Sequence, residues 1–177
     1  MRNSRGITLI ELLCTLLAVA VLISIAVPSL GGLTRSAQRT AAVNDFFHAV
    51  YVARSEAIKR GAVVSICKSP DGARCLNHGD WSEGWMVFVN SDRDEPPERD
   101  EGETLLAHYA GWPAGRITSN RLAYSFRAQT QGTVNGTVLF CDARGPEHSR
   151  AVIISHTGRP RVSRTDSSGR ALPCAEG

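Results

Sequence analysis

The sequence lacks the residue patterns that identify most enzymes. It contains no H-E-x-x-H, no G-x-S-x-G and no G-x-x-x-x-G-K-[ST] phosphate-binding loop. A hydrolase would require a nucleophile, a base and an orienting group, and no such set is visible. The histidines are scattered along the chain, at His48, His78, His108, His148 and His156. We therefore expect neither catalysis nor a cofactor.

A strong excess of charge of one sign is also lacking. The formal net charge is +3 on 177 residues, which does not by itself indicate nucleic acid or anionic lipid as a partner. Any basic patch must therefore be local. The length suits one ordinary domain with an additional element.

The five cysteines form no C-x2-C pair and have no histidine at zinc-finger spacing, which argues against a metal site. Cys14 lies in an apolar run and is expected to stay free. The other four suggest two disulfides and therefore an oxidising compartment. Three pairings are possible, but the close spacing of Cys67 and Cys75 favours a small loop, with Cys141 and Cys174 closing a longer one.

The segment from Asn90 to Glu103 is strongly acidic. We interpret it as a solvated loop. Calcium is the alternative, because Asp92 and Asp94 alternate, although the segment lacks the spacing of an EF-hand.

Apolar residues concentrate near the N-terminus. Residues 1–6 are basic, and residues 7–33 are apolar apart from small polar residues and Glu11. As a helix, residues 7–33 would be about 40 Å long, enough to cross a hydrocarbon core of about 30 Å. The basic side is expected to stay in the cytoplasm while the C-terminal domain is exported. The segment therefore predicts a single-pass membrane anchor.

Two simpler interpretations of this segment explain less. A secretory signal peptide would be shorter, and residues 26–28 form a poor cleavage site. A plain anchor explains everything except Glu11, whose carboxylate costs about 2 to 3 kcal/mol in a membrane helix and so needs a partner. Pro28 either kinks the helix or is tolerated by local backbone adjustment.

Residues 5–13, Arg-Gly-Ile-Thr-Leu-Ile-Glu-Leu-Leu, resemble the class III signal of type IV prepilins and type II secretion pseudopilins. The resemblance implies that a prepilin peptidase cuts after Gly6 and methylates Ile7, where phenylalanine is more usual. It also implies that Glu11 neutralises the amino terminus of a neighbouring subunit in the filament. Two opposite buried charges would stabilise each other.

The predicted helix continues over residues 34–60 and ends at Gly61. Its apolar residues recur at intervals of three and four, which predicts one buried stripe: Val43, Phe46, Phe47, Val50, Ala53, Ala57 and Ile58. After Gly61 the pattern favours strands, and residues 61–177 form the predicted β-rich exported domain. The predicted strands are Val63–Cys67, Trp85–Val89, Thr104–His108, Leu122–Phe126, Val138–Cys141 and Val152–Ser155. Asn135 and Gly136 are typical of a hairpin turn.

A long helix followed only by strands predicts an α+β fold, with the helix stripe packed on antiparallel sheet. Trp81 and Trp85 are expected in its core.

The exported domain resembles the GspH/FimT group of minor pilins and pseudopilins. The resemblance is based on Cys67, Cys75, Trp81, Gly84-Trp85, Phe88, the acidic segment before Leu105-Leu106, and residues 141–145, Cys-Asp-Ala-Arg-Gly. It implies a minor pilin of a type IV pilus, in or near the tip complex, or the equivalent pseudopilin of a type II secretion system. The implied partners are other pilins or pseudopilins, the prepilin peptidase and the inner membrane. The domain would lie in the periplasm, and outside the cell once assembled.

Residues 158–161, Gly-Arg-Pro-Arg, resemble the G-R-x-R motif of DNA-binding FimT pilins of natural transformation. The resemblance implies double-stranded DNA as a partner. If residues 160–163 are extended, Arg159 and Arg161 share one face, with Arg164 and Arg170 nearby. The alternative is a solvated hairpin turn.

Overall fold

A computed structural model describes residue 6, residues 8–128 and residues 135–174, with residues 25–30 described by their backbone alone. It divides the chain into two compact units, Met1–Ala37 and Gln38–Gly177. Ile7 and the side chain of Pro28 lie outside the described residues, so their predicted roles are not tested.

One helix, α1 (Leu9–Arg60), has residues in both units. It begins after Thr8, whose side-chain oxygen accepts a hydrogen bond from the Glu11 N–H at 3.3 Å, as an N-cap does. It ends at Gly61, which has φ +62° and so adopts the left-handed conformation of a helix C-terminus. Lys59 and Arg60 lie in the last turn, where their charge complements the helix dipole.

The first unit exposes most of its large apolar side chains. Leu9, Ile10 and Leu17, for example, are 66 to 78% exposed. Across the residues searched, none of the helices meets the combined length and apolarity required of a membrane span. The predicted anchor, residues 7–33, includes residues outside the described part and stays a prediction.

Among its described residues, the second unit contains eight strands in two antiparallel sheets. Sheet A has the order β3-β2-β1-β5 and sheet B the order β4-β6-β7-β8. The strands are β1 (Val63–Lys68), β2 (Trp85–Asn90), β3 (Leu105–Tyr109), β4 (Arg116–Ser119), β5 (Ala123–Phe126), β6 (Gly136–Cys141), β7 (Arg150–Ile154) and β8 (Pro160–Ser163). Short 3-10 helices cover Trp81–Glu83 and Pro146–His148.

The α+β fold is confirmed, and six strands lie within two residues of their predicted bounds. Strand β4 was not predicted because its four residues contain one buried apolar side chain, Ile117. The hairpin predicted at Asn135 and Gly136 is wrong, since β5 and β6 belong to different sheets. Gly136 instead allows a close approach: a Cβ there would lie 2.8 Å from the Tyr124 hydroxyl.

The core of the second unit is built on the buried stripe of α1. Phe46 is fully buried, and its ring contacts those of Trp81, Trp85, Tyr124 and Phe140 at centroid distances of 5.5 to 6.2 Å. Such edge-on aromatic contacts stabilise beyond the burial of apolar area alone. The stripe was predicted correctly except at Ile58, which is 54% exposed, and at Phe47, which is only partly buried.

Two disulfides link the pairs that the spacing favours. Cys67 and Cys75 close a loop that follows β1. Cys141 and Cys174 attach the C-terminal segment to the end of β6. Beside this second bond, Leu172 packs with Ala151 and Ile153 in a small apolar cluster separate from the main core. Cys14 has a free thiol and is exposed.

Candidate functional site

The residues predicted to be cleaved and methylated, Gly6 and Ile7, lie at the start of the chain. Gly6 is exposed, and a Cβ added to it would meet no atom within 4 Å. Its backbone is therefore open to an approaching protein. Ile7, the expected methylated residue, lies outside the described residues.

Glu11 lies in the first turn of α1 and is exposed. Among the residues that the structure describes, no cation lies within ion-pair distance of its carboxylate. The large apolar side chains that follow it are exposed as well: Leu12, Leu13, Leu16 and Leu17 are 51 to 69% exposed. A carboxylate at the start of an exposed apolar helix is suited to pairing with another molecule.

The Gly-Arg-Pro-Arg segment forms the connection between β7 and β8. Ser155 and Arg159 close the hairpin, with the Ser155 N–H donating to the Arg159 carbonyl at 3.1 Å. Gly158 has φ +72°, the left-handed conformation typical of a three-residue hairpin loop. The turn geometry therefore explains why residue 158 is glycine. It does not require arginine at positions 159 and 161, so these side chains are available for another role.

Arg159 and Arg161 share the outer face of sheet B. Arg161 is paired with Ile153, which packs with Leu172 in the small apolar cluster outside the main core, and Arg159 is two residues away along the chain. Both arginines are exposed. Among the described residues, neither guanidinium makes a hydrogen bond or an ion pair.

The two other arginines of the predicted patch lie apart from this pair. Arg170 Nε is 3.0 Å from the Asp166 carboxylate, within one turn of the C-terminal segment. Arg164 lies just beyond β8 and is close enough to Arg39 and Arg150 for its charge to lower the pKa of both. The structure thus brings together two of the four predicted arginines.

A buried ionic cluster surrounds Asp142, in the segment 141–145 that carries the family resemblance. Its carboxylate accepts hydrogen bonds from Arg144 Nε at 2.9 Å and from Nη2 at 2.6 Å. Arg39 of α1 lies 3.8 Å away and donates to the His148 carbonyl. Sequence inspection missed Arg39, because its neighbours in sequence, Gln38 and Thr40, are polar and no local pattern signals its burial.

The cluster contains more positive than negative charge. The hydrogen bonds from Arg144 lower the pKa of Asp142 to about 2. Burial, with repulsion from neighbouring arginines, lowers the pKa of Arg39 and of Arg150. Asp142 therefore stays ionised at neutral pH and offsets part of this repulsion.

The acidic segment is partly ordered by its own carboxylates. Glu103 is buried, against the expectation of a wholly solvated loop, and accepts hydrogen bonds from the N–H groups of Ser91 and Asp100. Among the described residues, no group of three or more His, Cys, Asp or Glu side chains could hold a metal ion.

Two protein-family models match the chain. The model described as type II transport protein GspH matches residues 42–158, about two thirds of the chain. The model of the prokaryotic N-terminal methylation motif matches residues 1–27. No curated protein matches the chain significantly.

Two crystal structures of the type IV minor pilin FimU of Pseudomonas aeruginosa strain PAO1 resemble the chain in fold. Both are 18% identical in sequence. One superposes with a TM-score of 0.54 and covers 76% of this chain and 98% of its own. The other has a TM-score of 0.56 and covers 80% and 98%.

Pilins and pseudopilins are structural proteins that interact with other pilins and are processed by a prepilin-type peptidase. The match to the GspH model covers most of the second unit, and the methylation motif covers the start of α1. The chain belongs to the GspH/FimT/FimU-like family of type IV minor pilins and pseudopilins.

Proposed function

We propose that the chain is a minor pilin of a type IV pilus, held in the inner membrane by residues 7–33 until it joins the filament near the tip. The observation that supports this most strongly is Glu11, an exposed carboxylate without an ion-pair partner among the described residues. The role requires no catalysis.

The physical argument combines charge with apolar surface. After cleavage at Gly6, Ile7 carries a new positive amino terminus, only four residues from Glu11. Within a bundle of apolar helices, each such charge is costly alone and favourable beside an opposite charge. Glu11 of one subunit therefore stabilises the amino terminus of the next, and the exposed leucines of α1 provide the apolar contact.

The test compares Glu11→Ala with wild-type chain in cells that make pili. The variant should reach the membrane normally but should be depleted severalfold in sheared filaments. Glu98→Ala, which removes an exposed carboxylate from the acidic segment, is the control and should assemble normally. Equal recovery of Glu11→Ala and wild type in filaments would contradict the proposal.

The second candidate is a minor pseudopilin of a type II secretion system, which the description of the matching family supports. The same peptidase and the same glutamate chemistry would apply. Deletion of the gene separates the two roles. Loss of surface pili with normal secretion supports the pilus, whereas loss of secretion with normal pili supports the pseudopilin.

DNA binding at the β7–β8 hairpin is the finer part of the proposal. It is supported by Arg159 and Arg161, which are both exposed and lie on one face of sheet B. Two unpaired guanidiniums of this kind can bind phosphates of duplex DNA without reading its sequence. No aromatic side chain lies between them, so base stacking is not expected.

A mobility shift of the full chain in nonionic detergent tests this part. Binding to unrelated duplexes should weaken steeply with salt. Each arginine replaced by alanine should reduce the slope of the logarithm of the binding constant against the logarithm of the salt concentration by about one. Arg170→Ala is the matched control, since Arg170 already pairs with Asp166. Unchanged binding by the Arg159→Ala, Arg161→Ala double variant would exclude the hairpin as the site.

A further inference from the structure

A cavity of about 510 Å³ lies beside β4, between the end of β1 and the 3-10 helix Trp81–Glu83. This volume is in the usual range of small-ligand sites, about 300 to 1,000 Å³. Its charged lining residues are Lys68, Asp80, Arg116 and Arg121. The cavity is at the opposite edge of sheet B from the β7–β8 hairpin.

Lys68 is the unusual member of this lining. It is one of two lysines in the chain and is only 4% exposed. It is the last residue of β1 and, by strand alternation, shares the core-facing side with Val64 and Ile66. Lysines are rarely buried to this extent without an opposite charge.

The ammonium of Lys68 has unused hydrogen-bonding capacity. A lysine carries three donors, and Lys68 Nζ donates to the Gly79 carbonyl at 3.1 Å. Among the described residues it makes no other hydrogen bond and no ion pair. Burial lowers the pKa of Lys68, and the charge of Asp80 opposes this effect. An anion in the cavity would supply the missing partner.

The neighbouring charges favour an anion of more than one negative charge. Asp80 is engaged already, because it accepts from the Ser82 N–H at 2.9 Å and lies 3.6 Å from Arg116 Nε. Arg121 bonds to Asn135 through Nε and Nη2, which leaves some of its five N–H donors available. Three cations and one carboxylate give the lining an excess of two positive charges.

The free edge of β4 adds neutral donors. The Ile117 N–H points away from β6, since it donates to the Ser82 hydroxyl at 2.7 Å. Along an antiparallel strand every second N–H points the same way, so the Ser119 N–H faces this edge too. The Thr118 hydroxyl also belongs to the cavity lining.

We propose that this cavity is a phosphate-binding site in which Lys68, Arg116 and Arg121 hold the phosphate oxygens. A terminal phosphate carries about −1.5 to −2 charges at pH 7 and offers three strong acceptor oxygens. It therefore matches both the charge excess and the number of donors, whereas a carboxylate carries a single charge. The site stands apart from the proposed DNA-binding hairpin and does not depend on it.

Isothermal titration calorimetry of the full chain in nonionic detergent, with inorganic phosphate at low ionic strength, tests this proposal. Wild type should bind phosphate more tightly than acetate. Lys68→Met should weaken phosphate binding about tenfold or more, as expected for loss of a charge-assisted hydrogen bond. Arg116→Gln, at an exposed position, should weaken it by a smaller factor.

Matched controls use the cations outside the cavity. Lys59→Met replaces the other lysine, whose side chain is 74% exposed, and Arg74→Gln replaces an exposed arginine. Both should bind phosphate like wild type. Circular dichroism checks that Lys68→Met folds. If it does not fold, the phosphate affinity of Arg116→Gln decides whether the cavity is the binding site. No binding by wild type, equal binding of acetate, or unchanged binding in the cavity variants would each overturn the proposal.

Two further titrations distinguish the source of the phosphate. Methyl phosphate mimics a terminal phosphate on a larger molecule, and dimethyl phosphate mimics a nucleic-acid backbone. Binding of either that is weakened by Lys68→Met but not by the Arg159→Ala, Arg161→Ala variant supports the site and identifies that class of ligand. The Arg159→Ala, Arg161→Ala variant should bind phosphate normally, so failure at the hairpin and failure at the cavity can be told apart.

Discussion

Arg39 and Asp142 lie 3.8 Å apart, between Nη1 and Oδ2, although they are far apart in sequence. Both side chains are more than nine-tenths buried. The pair joins α1 to the segment that follows β6, and Arg144 completes the bonding of the carboxylate. Breaking a buried pair by removing one partner usually destabilises strongly, because the other charge is left uncompensated.

Asp142→Asn should therefore make the stability of the chain less dependent on pH. The folded-state pKa of Asp142 is about 2, lowered from 3.8 chiefly by hydrogen bonds from Arg144. Its contribution of about 2 kcal/mol is fully present above pH 4 and is lost as the pH falls towards 2. Denaturant unfolding at pH 7 and at low pH measures the difference.

The control for this prediction is Glu101→Gln, which alters an exposed carboxylate. Its effect on the free energy of unfolding should stay within about 0.5 kcal/mol at pH 7. A wild-type and an Asp142→Asn protein of equal stability at neutral pH would contradict the role assigned to the ionised carboxylate.

Phe46→Ala should destabilise the second unit by about 3 to 5 kcal/mol, because it leaves a cavity among four aromatic rings. Phe47→Ala is the matched comparison, since Phe47 is only partly buried and contacts Tyr51. Thermal or denaturant unfolding should show the larger loss for Phe46. Equal losses in the free energy of unfolding would contradict the expectation that the ring contacts of Phe46 stabilise the core more than the contact of Phe47 does.

Replacing Cys141 and Cys174 by alanine should reduce stability by about 4 kcal/mol, while replacing Cys67 and Cys75 should cost about 2.5 kcal/mol. The difference follows from the closed loops, which have sequence separations of 33 and 8. Loss of the longer link should also release Leu172 from its apolar cluster. Limited proteolysis of this variant should then cut the C-terminal segment first. The variant without Cys67 and Cys75 should resist cleavage in that segment.

Gly6→Leu should block processing, because the peptidase must approach a backbone that carries no side chain at this point. The uncut precursor should accumulate, as intact mass would show. Ser4→Leu, in the same leader, is the control and should mature normally. A Gly6→Leu chain cleaved like wild type would contradict the assignment of the cleavage site.

The extent of α1 and the presence of six strands could be predicted because they depend on local rules. The apolar repeat of the helix placed Phe46 and Val50 in the core, and Gly61 marked the end. The cysteine spacing similarly favoured the pairs that the structure contains. Each of these features needs only the nearest residues and the period of the backbone.

Local rules were insufficient where the outcome depended on the partner strand. Asn135 and Gly136 have the composition of a turn, yet β5 pairs in one sheet and β6 in the other. Arg164 follows Arg161 closely in sequence, but it lies beyond the end of β8 and its charge acts on Arg39 and Arg150 instead. The burial of Lys68 depends on the approach of β4 and the 3-10 helix to the end of β1.

The sequence by itself therefore determined the helix, its buried stripe and the N-terminal methylation motif that contains Gly6 and Glu11, because these are periodic or contiguous along the chain. Only the tertiary structure decided which charges meet. Arg39 reaches Asp142, and Lys68 faces the cavity beside β4, through antiparallel pairings and helix packing between distant segments. Their chemistry arises from burial beside particular neighbours, and burial is a property of the assembled fold.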